Sequence, residues 1–124
     1  MLTDFLVVGT GGFIGSCLRF AFNQIAVYFG ISFPLGTLVS NVAAGIAIGF
    51  VIGLDAFSPK LKLFLTTGLL GGLSTFSAFS LETVNLFGGG KYFLGAANVL
   101  LNLALSFAGV VLGMFLAGLL AKKA

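Results

Sequence analysis

Apolar residues run through this chain in four long blocks, separated by short stretches of glycine, proline and charge. The first extends from about Asp4 to Phe29 and takes in Arg19, Asn23 and Gln24 toward its end. Gly30 through Pro34 make a short turn. Leu35 to Leu54 is an uncharged run of twenty, about the length an α-helix needs to cross a bilayer. Asp55, Ser58 and Pro59 form a loop, and Lys60 and Lys62 lead into the third block, Leu63 to about Phe87. Gly88-Gly89-Gly90-Lys91 is the next loop. Tyr92 to Ala121 is thirty residues without a charge, long enough to tilt, and Lys122 and Lys123 stop it. The pattern predicts an all-α membrane protein: four transmembrane helices in a single domain over residues 1–124.

The third block is not uniform. Between Leu70 and Glu82 it reads LGGLSTFSAFSLE, two glycines followed by Ser74, Thr75, Ser77 and Ser80 interleaved with Phe76 and Phe79. Hydrocarbon holds no water to satisfy a free backbone group, so a break at this depth survives only where it lines a cavity or binds an ion. The sequence therefore predicts a third helix broken near its middle, beside an ion pathway.

Composition narrows the chemistry. The chain is 59% hydrophobic and 7% charged, with a mean hydropathy of +1.21, which excludes a water-soluble globular domain. It has no His and one Cys, so a zinc site, a Ser-His-Asp triad and a Cys-His nucleophile are ruled out within one chain, and no enzymatic activity is expected. Cys17 stands alone in an apolar stretch and reads as a small hydrophobe. MLTDFLVVG has neither a basic start nor a small-residue cleavage site, and reads as the start of a retained helix. Net charge is +3, but the five lysines all flank apolar blocks, as anchors in the lipid interface rather than a nucleic-acid surface. Gly9-Thr10-Gly11-Gly12 starts like a dinucleotide fingerprint, yet position 14 is Ile and there is no room for a βαβ unit.

Many of the 19 glycines recur four apart: Gly11/Gly15, Gly45/Gly49/Gly53, Gly68/Gly72 and Gly109/Gly113. Such spacing lets helix backbones approach closely in lipid, where packing drives association. Polar side chains form a second pattern. Asn98, Asn102 and Ser106 recur at i, i+4 and i+8 on the fourth helix, and Thr37 and Asn41 lie one turn apart on the second. Four close-packed helices enclose no lumen, so a pathway is expected on an outer face, with these stripes turned toward it and a second copy completing it. Amide and hydroxyl hydrogens, with the positive edges of aromatic rings, suit a small anion that must be held weakly. The same groups offer oxygens to a cation, and the residues alone leave the sign open.

Three segments resemble one family in the right order. Gly11-Gly12-Phe13-Ile14-Gly15-Ser16-Cys17-Leu18-Arg19-Phe20 resembles the GGxxGxxxR(Y/F) signature of the Fluc (CrcB) fluoride channels. Gly36-Thr37-Leu38-Val39-Ser40-Asn41 is similar to that family's GTLxxN segment. Gly71-Gly72-Leu73-Ser74-Thr75-Phe76-Ser77-Ala78-Phe79-Ser80 resembles its GG(L/F)(S/T)TFSTFS motif. The resemblance implies a fluoride-selective channel that exports the ion passively across the plasma membrane and relieves fluoride toxicity. It implies an antiparallel, dual-topology homodimer with two pores along the interface. Asn41 would be the pore amide, with Phe76 and Phe79 from different subunits offering ring edges. Thr37, Ser77, Asn98, Asn102 and Ser106 would line the track, and Arg19 and Glu82 would sit at the vestibules. The carbonyls of Gly71 and Ser74, doubled by the dyad, would hold a structural Na⁺ at the dimer centre.

Three residues depart from the family pattern: Ala78 replaces a usual Thr, and Asn98 and Asn102 stand where Ser, Tyr or His is frequent. Lysine placement adds a tension. With four spans, Lys60, Lys62, Lys122 and Lys123 share a side against Lys91, a modest bias toward termini inside, whereas an antiparallel dimer needs both orientations. The alternative reading is a small dual-topology exporter that exchanges protons for organic cations, for which Glu82 would be the embedded carboxylate. A purely structural subunit is the third, and it leaves the polar stripes without a role.

Overall fold

The computed structural model describes residues 1–123, and every regular element in them is helical. α1 spans Leu2–Tyr28 and α2 spans Leu35–Ile52. The third span opens with α3 (Pro59–Leu63), continues through a π-helical stretch (Phe64–Leu70) and ends its first half with α4 (Gly71–Leu73). Its second half is α5 (Phe76–Gly88), and α6 runs from Tyr92 to Lys123. The result is four spans long and apolar enough to cross a membrane, Leu2–Tyr28, Leu35–Ile52, Pro59–Gly88 and Tyr92–Lys123. This is a multi-pass membrane protein with a broken third helix.

Local chemistry sets the ends. Ser58 caps α3, its hydroxyl accepting from Leu61 N–H at 3.3 Å, with Pro59 at the first helical position where a missing N–H costs nothing. Gly30 (φ +65°) and Gly90 (φ +74°) close α1 and α5 in the left-handed region. Beyond them Ile31 N–H returns to Ala26 O at 3.0 Å and Lys91 N–H to Leu86 O at 2.8 Å. The π-helical stretch has no signal in the sequence beyond a glycine, Gly68, packed on α1; the widened turn adds a residue without lengthening the span.

Glycine spacing decides which helices meet. α2 and α6 pack as reciprocal glycine faces. A Cβ on Gly45 would reach 2.8 Å from Ser106 O, and one on Gly113 would overlap Ile46 O and reach 2.7 Å from Phe50 N. α1 packs on the first half of the third span in the same way: Gly15 lies against Leu69 and Leu73, and a Cβ on Gly72 would reach 2.5 Å from Gly12 O. Between these pairs sits a small core of Ala44, Leu70 and Leu73, joined by Phe22, Ala47, Ile48 and Leu69. It packs directly behind the break.

Candidate functional site

The break is two residues long. Ser74 (ψ 151°) and Thr75 (φ −153°, ψ 122°) are extended, so helical bonding stops and restarts across them. In a continuous helix Thr75 N–H would go to Gly71 O and Ala78 N–H to Ser74 O. Here Thr75 N–H goes instead to Asn41 Oδ1 at 2.7 Å, and Ala78 N–H to Thr75 Oγ1 at 3.2 Å, the cap of α5. Gly71 and Ser74 thus lose their helical donors, which frees two carbonyls at membrane depth. Arg19 Nε donates to Gly72 O at 3.1 Å, supplying a third carbonyl beside the break with a charged donor from α1.

An open groove of about 390 Å³ runs along this break, between α2, the third span and α6. Asn41, Ser74, Phe76, Phe79, Asn102 and Ser106 all line it, as does Gly71. Residues from three distant motifs therefore meet in one place. No titratable side chain is among its lining residues; the polar groups are amides, hydroxyls and backbone. The two phenylalanine rings lie 5.5 Å apart at 55°, with Phe76 76% exposed and Phe79 only 8% exposed. One ring projects from the chain while the other is held in its wall. Ser77 is exposed on the first turn of α5, 3.3 Å from the Thr75 hydroxyl.

Asn41 is fully engaged. Its amide nitrogen donates to Asn102 Oδ1 at 2.9 Å and to Thr75 O at 3.3 Å, while its oxygen takes Thr75 N–H. It clamps both backbone groups of Thr75, the last residue of the break.

The expectation that the polar stripes turn outward does not hold for Thr37 and Asn98, whereas Asn102 lines the groove although its partners nearly cover it. Thr37 and Asn98 are 0% exposed and Asn102 is 4% exposed. The reason is donor accounting: inside the chain each finds a partner that lipid would deny it. Thr37 donates to Glu82 Oε1 at 2.6 Å, with Asn23 Oδ1 farther off at 3.5 Å. Asn102 donates to Asn98, and Asn98 to Thr83 Oγ1, each at 2.9 Å. Thr37 and Glu82 accordingly lie away from the groove; Glu82 lines a second recess, near the α1–α2 and α5–α6 turns, with Asn23, Asn85 and Lys91. Glu82 Oε2 is buried with no hydrogen-bond partner among the described residues.

Thr83 and Asn23 escaped the sequence reading. Thr83 lies one turn beyond Phe79, and its i+4 spacing from a Ser/Thr/Phe-rich turn was the available signal. Asn23 faces α2 only because Gly36 leaves room for it, which a pairwise spacing within one helix cannot reveal.

Similarity to known proteins extends along most of the chain. The family model described as "CrcB-like protein, Camphor Resistance (CrcB)" matches residues 6–114. A fluoride-specific ion channel FluC of Clostridium novyi (strain NT) is 46% identical over 116 residues, covering 90% of this chain and 91% of that protein. FluC of Clostridium perfringens (strain 13 / Type A) is 45% identical over 120 residues, covering 93% and 94%. FluC of Ruminiclostridium cellulolyticum is 44% identical over 126 residues, covering 98% and 97%. A family match over most of the sequence, with relatives this similar along nearly all of it, settles the affiliation: the chain belongs to the CrcB family.

Proposed function

We propose that this protein is a fluoride channel of the plasma membrane, working as an antiparallel homodimer in which each groove becomes one wall of a pore. The observation that carries the reading is the set of groups the groove presents in an otherwise apolar wall: amides, hydroxyls and the rings of Phe76 and Phe79 at a helix break, with no ionisable group. A small, strongly hydrated anion entering it would exchange water for weak donors and ring edges and would meet no full charge that holds it. The names of its relatives, fluoride-specific ion channels, supply the ion. Proton-coupled export of organic cations is disfavoured by the same lining. That chemistry needs a carboxylate in the pathway, and Glu82 lies in the other recess, held by Thr37.

In this mechanism Phe76, largely exposed, reaches across to the partner while Phe79 stays in its own wall, so each pore takes rings from both chains. Asn41 faces the ion from the groove, its longer 3.3 Å bond to Thr75 O being the one an anion displaces. Ser77 and Ser106 continue the track, and Arg19 stands beside the break, on Gly72 O. The freed carbonyls of Gly71 and Ser74 fit a monovalent cation. Among the described residues no cluster of His, Cys, Asp or Glu would recruit a divalent one. A Na⁺ held there by both copies would supply fixed positive charge at the dimer centre.

Phe76→Ile and Phe79→Ile are each expected to cut fluoride flux at least about tenfold, because isoleucine keeps apolar bulk but has no quadrupole; the change equals about 1.4 kcal/mol on the limiting barrier. Methionine at either position should cost less, since its polarizable thioether adapts. Efflux from liposomes checks this, and wild-type rates for both isoleucine variants in folded protein would reduce the rings to packing.

The dimer is open to a direct test as well. Phe93 and Leu120 lie near opposite ends of α6 and are both exposed. With cysteines at these two positions and Cys17→Ser, a short bifunctional crosslinker should join 93 to 120 between copies. Exclusive 93–93 and 120–120 products would mean a parallel dimer.

A further inference from the structure

Asn98 and Thr83 are buried, do not line the groove, and yet belong to a hydrogen-bonded chain that reaches it. The chain crosses three helices and returns to the one it started from. Thr75 N–H, at the head of α5, donates to Asn41 Oδ1 on α2 at 2.7 Å. Asn41 Nδ2 donates to Asn102 Oδ1 on α6 at 2.9 Å, and Asn102 Nδ2 donates one turn back to Asn98 Oδ1 at 2.9 Å. Asn98 Nδ2 then donates to Thr83 Oγ1 on α5 at 2.9 Å, and Thr83 Oγ1 donates to Phe79 O at 2.8 Å.

An amide can be turned end for end, so the direction of such a chain needs an argument. Backbone groups provide it at three points. Thr75 N–H can only donate, which fixes the oxygen of Asn41 toward the break. Asn102 Nδ2 also contacts the main-chain oxygen of Asn98 at 2.9 Å, which can only accept, so its nitrogen must face that way. Phe79 O can only accept, so the Thr83 hydrogen is committed to it and Asn98 must offer a nitrogen. All three constraints demand the same direction, and reversing any one amide would set acceptor against acceptor in a buried site.

We infer that Thr83, Asn98 and Asn102 are positioning residues: a one-way amide relay that fixes the orientation of Asn41 and ties down the first turn of α5, where Phe76 and Phe79 reside. The relay begins at Thr75 and ends at Phe79, so it brackets the segment that carries both rings. Asn98 acts on an ion only through Asn102 and Asn41. This rests on the fluoride-channel reading for its consequence, but not for its existence.

Thr83→Val is the informative variant, because it keeps the side chain's shape while removing the hydroxyl that joins Asn98 to Phe79 O, on a residue that does not itself line the groove. Thr83→Ser keeps the hydroxyl and should restore function. With ¹⁵N-labelled protein in micelles, Thr83→Val should shift the Asn41 side-chain NH₂ resonances and the Thr75 amide, and Thr83→Ser should leave both near their wild-type positions. In liposomes Thr83→Val should lower fluoride efflux about fivefold, the scale of one lost buried hydrogen bond, with Thr83→Ser within about twofold of wild type. Unmoved Asn41 and Thr75 resonances in a folded Thr83→Val protein would overturn the relay, whatever the flux. Shifted resonances in a protein whose wild type carries no fluoride would uphold the relay and refute the channel reading instead.

Discussion

Asn41→Asp is expected to abolish fluoride flux, lowering it at least about 100-fold, the equivalent of about 2.7 kcal/mol on the limiting barrier, while the protein still assembles. The substitution is nearly isosteric, so the glycine-mediated packing of α2 on α6 is untouched. One carboxylate oxygen can still take Thr75 N–H, as Asn41 Oδ1 does at 2.7 Å. The other replaces a donor. It faces Asn102 Oδ1 at 2.9 Å and Thr75 O at 3.3 Å, where three acceptors now converge without a hydrogen between them. The break loses its clamp, and an ionised group in the groove repels the anion it should pass. Liposome efflux together with size-exclusion chromatography in detergent measures both halves of this expectation. Near-normal flux through a monodisperse Asn41→Asp protein would remove Asn41 from the pathway.

The second large effect is on stability and needs only one methyl group. Gly113→Ala places a Cβ into the Ile46 carbonyl and 2.7 Å from Phe50 N, both of them backbone and neither able to swing aside. α2 and α6 must separate along their main contact, with an expected loss of at least about 3 kcal/mol. Gly118→Ala, on the same helix, is the control: nothing lies within 4 Å of the added carbon, and alanine is the better helix former by about 1 kcal/mol. Thermal unfolding in detergent should therefore separate two chemically identical changes five positions apart, Gly113→Ala lowering the midpoint sharply and Gly118→Ala leaving it level or raised. Equal midpoints would mean that α2 and α6 do not approach as closely as described.

What the sequence revealed and what it withheld follow from the range of the interactions involved. Span number and the break were legible because they depend on local composition: uncharged runs of bilayer length, and Gly71, Gly72, Ser74 and Thr75 in succession. The glycine pairs announced close packing, but a spacing within one helix does not name its partner. Which helix Gly113 meets depends on Ile46 and Phe50, more than sixty residues away. The gathering of Asn41, Phe76 and Phe79 at one groove was anticipated through the family resemblance and the lone amide on α2. The inward turn of Asn98 was not, although Asn102 on the same stripe does line the groove. Their i, i+4 stripe is equally compatible with a pore and a helix interface, and the choice rests on Thr83 and Asn41, donors and acceptors from two other helices. Thr37 went the same way, drawn inward by Glu82.

Fluoride, and not a larger halide or an organic cation, should pass through this protein unaided by a proton gradient. Purified protein in liposomes loaded with both fluoride and chloride tests it, with efflux of each followed by its own ion-selective electrode. Rapid fluoride release is expected on addition of a K⁺ ionophore, with negligible chloride release and no need for an imposed pH difference. Chloride released alongside fluoride, or fluoride retained in vesicles that hold folded protein, would contradict it.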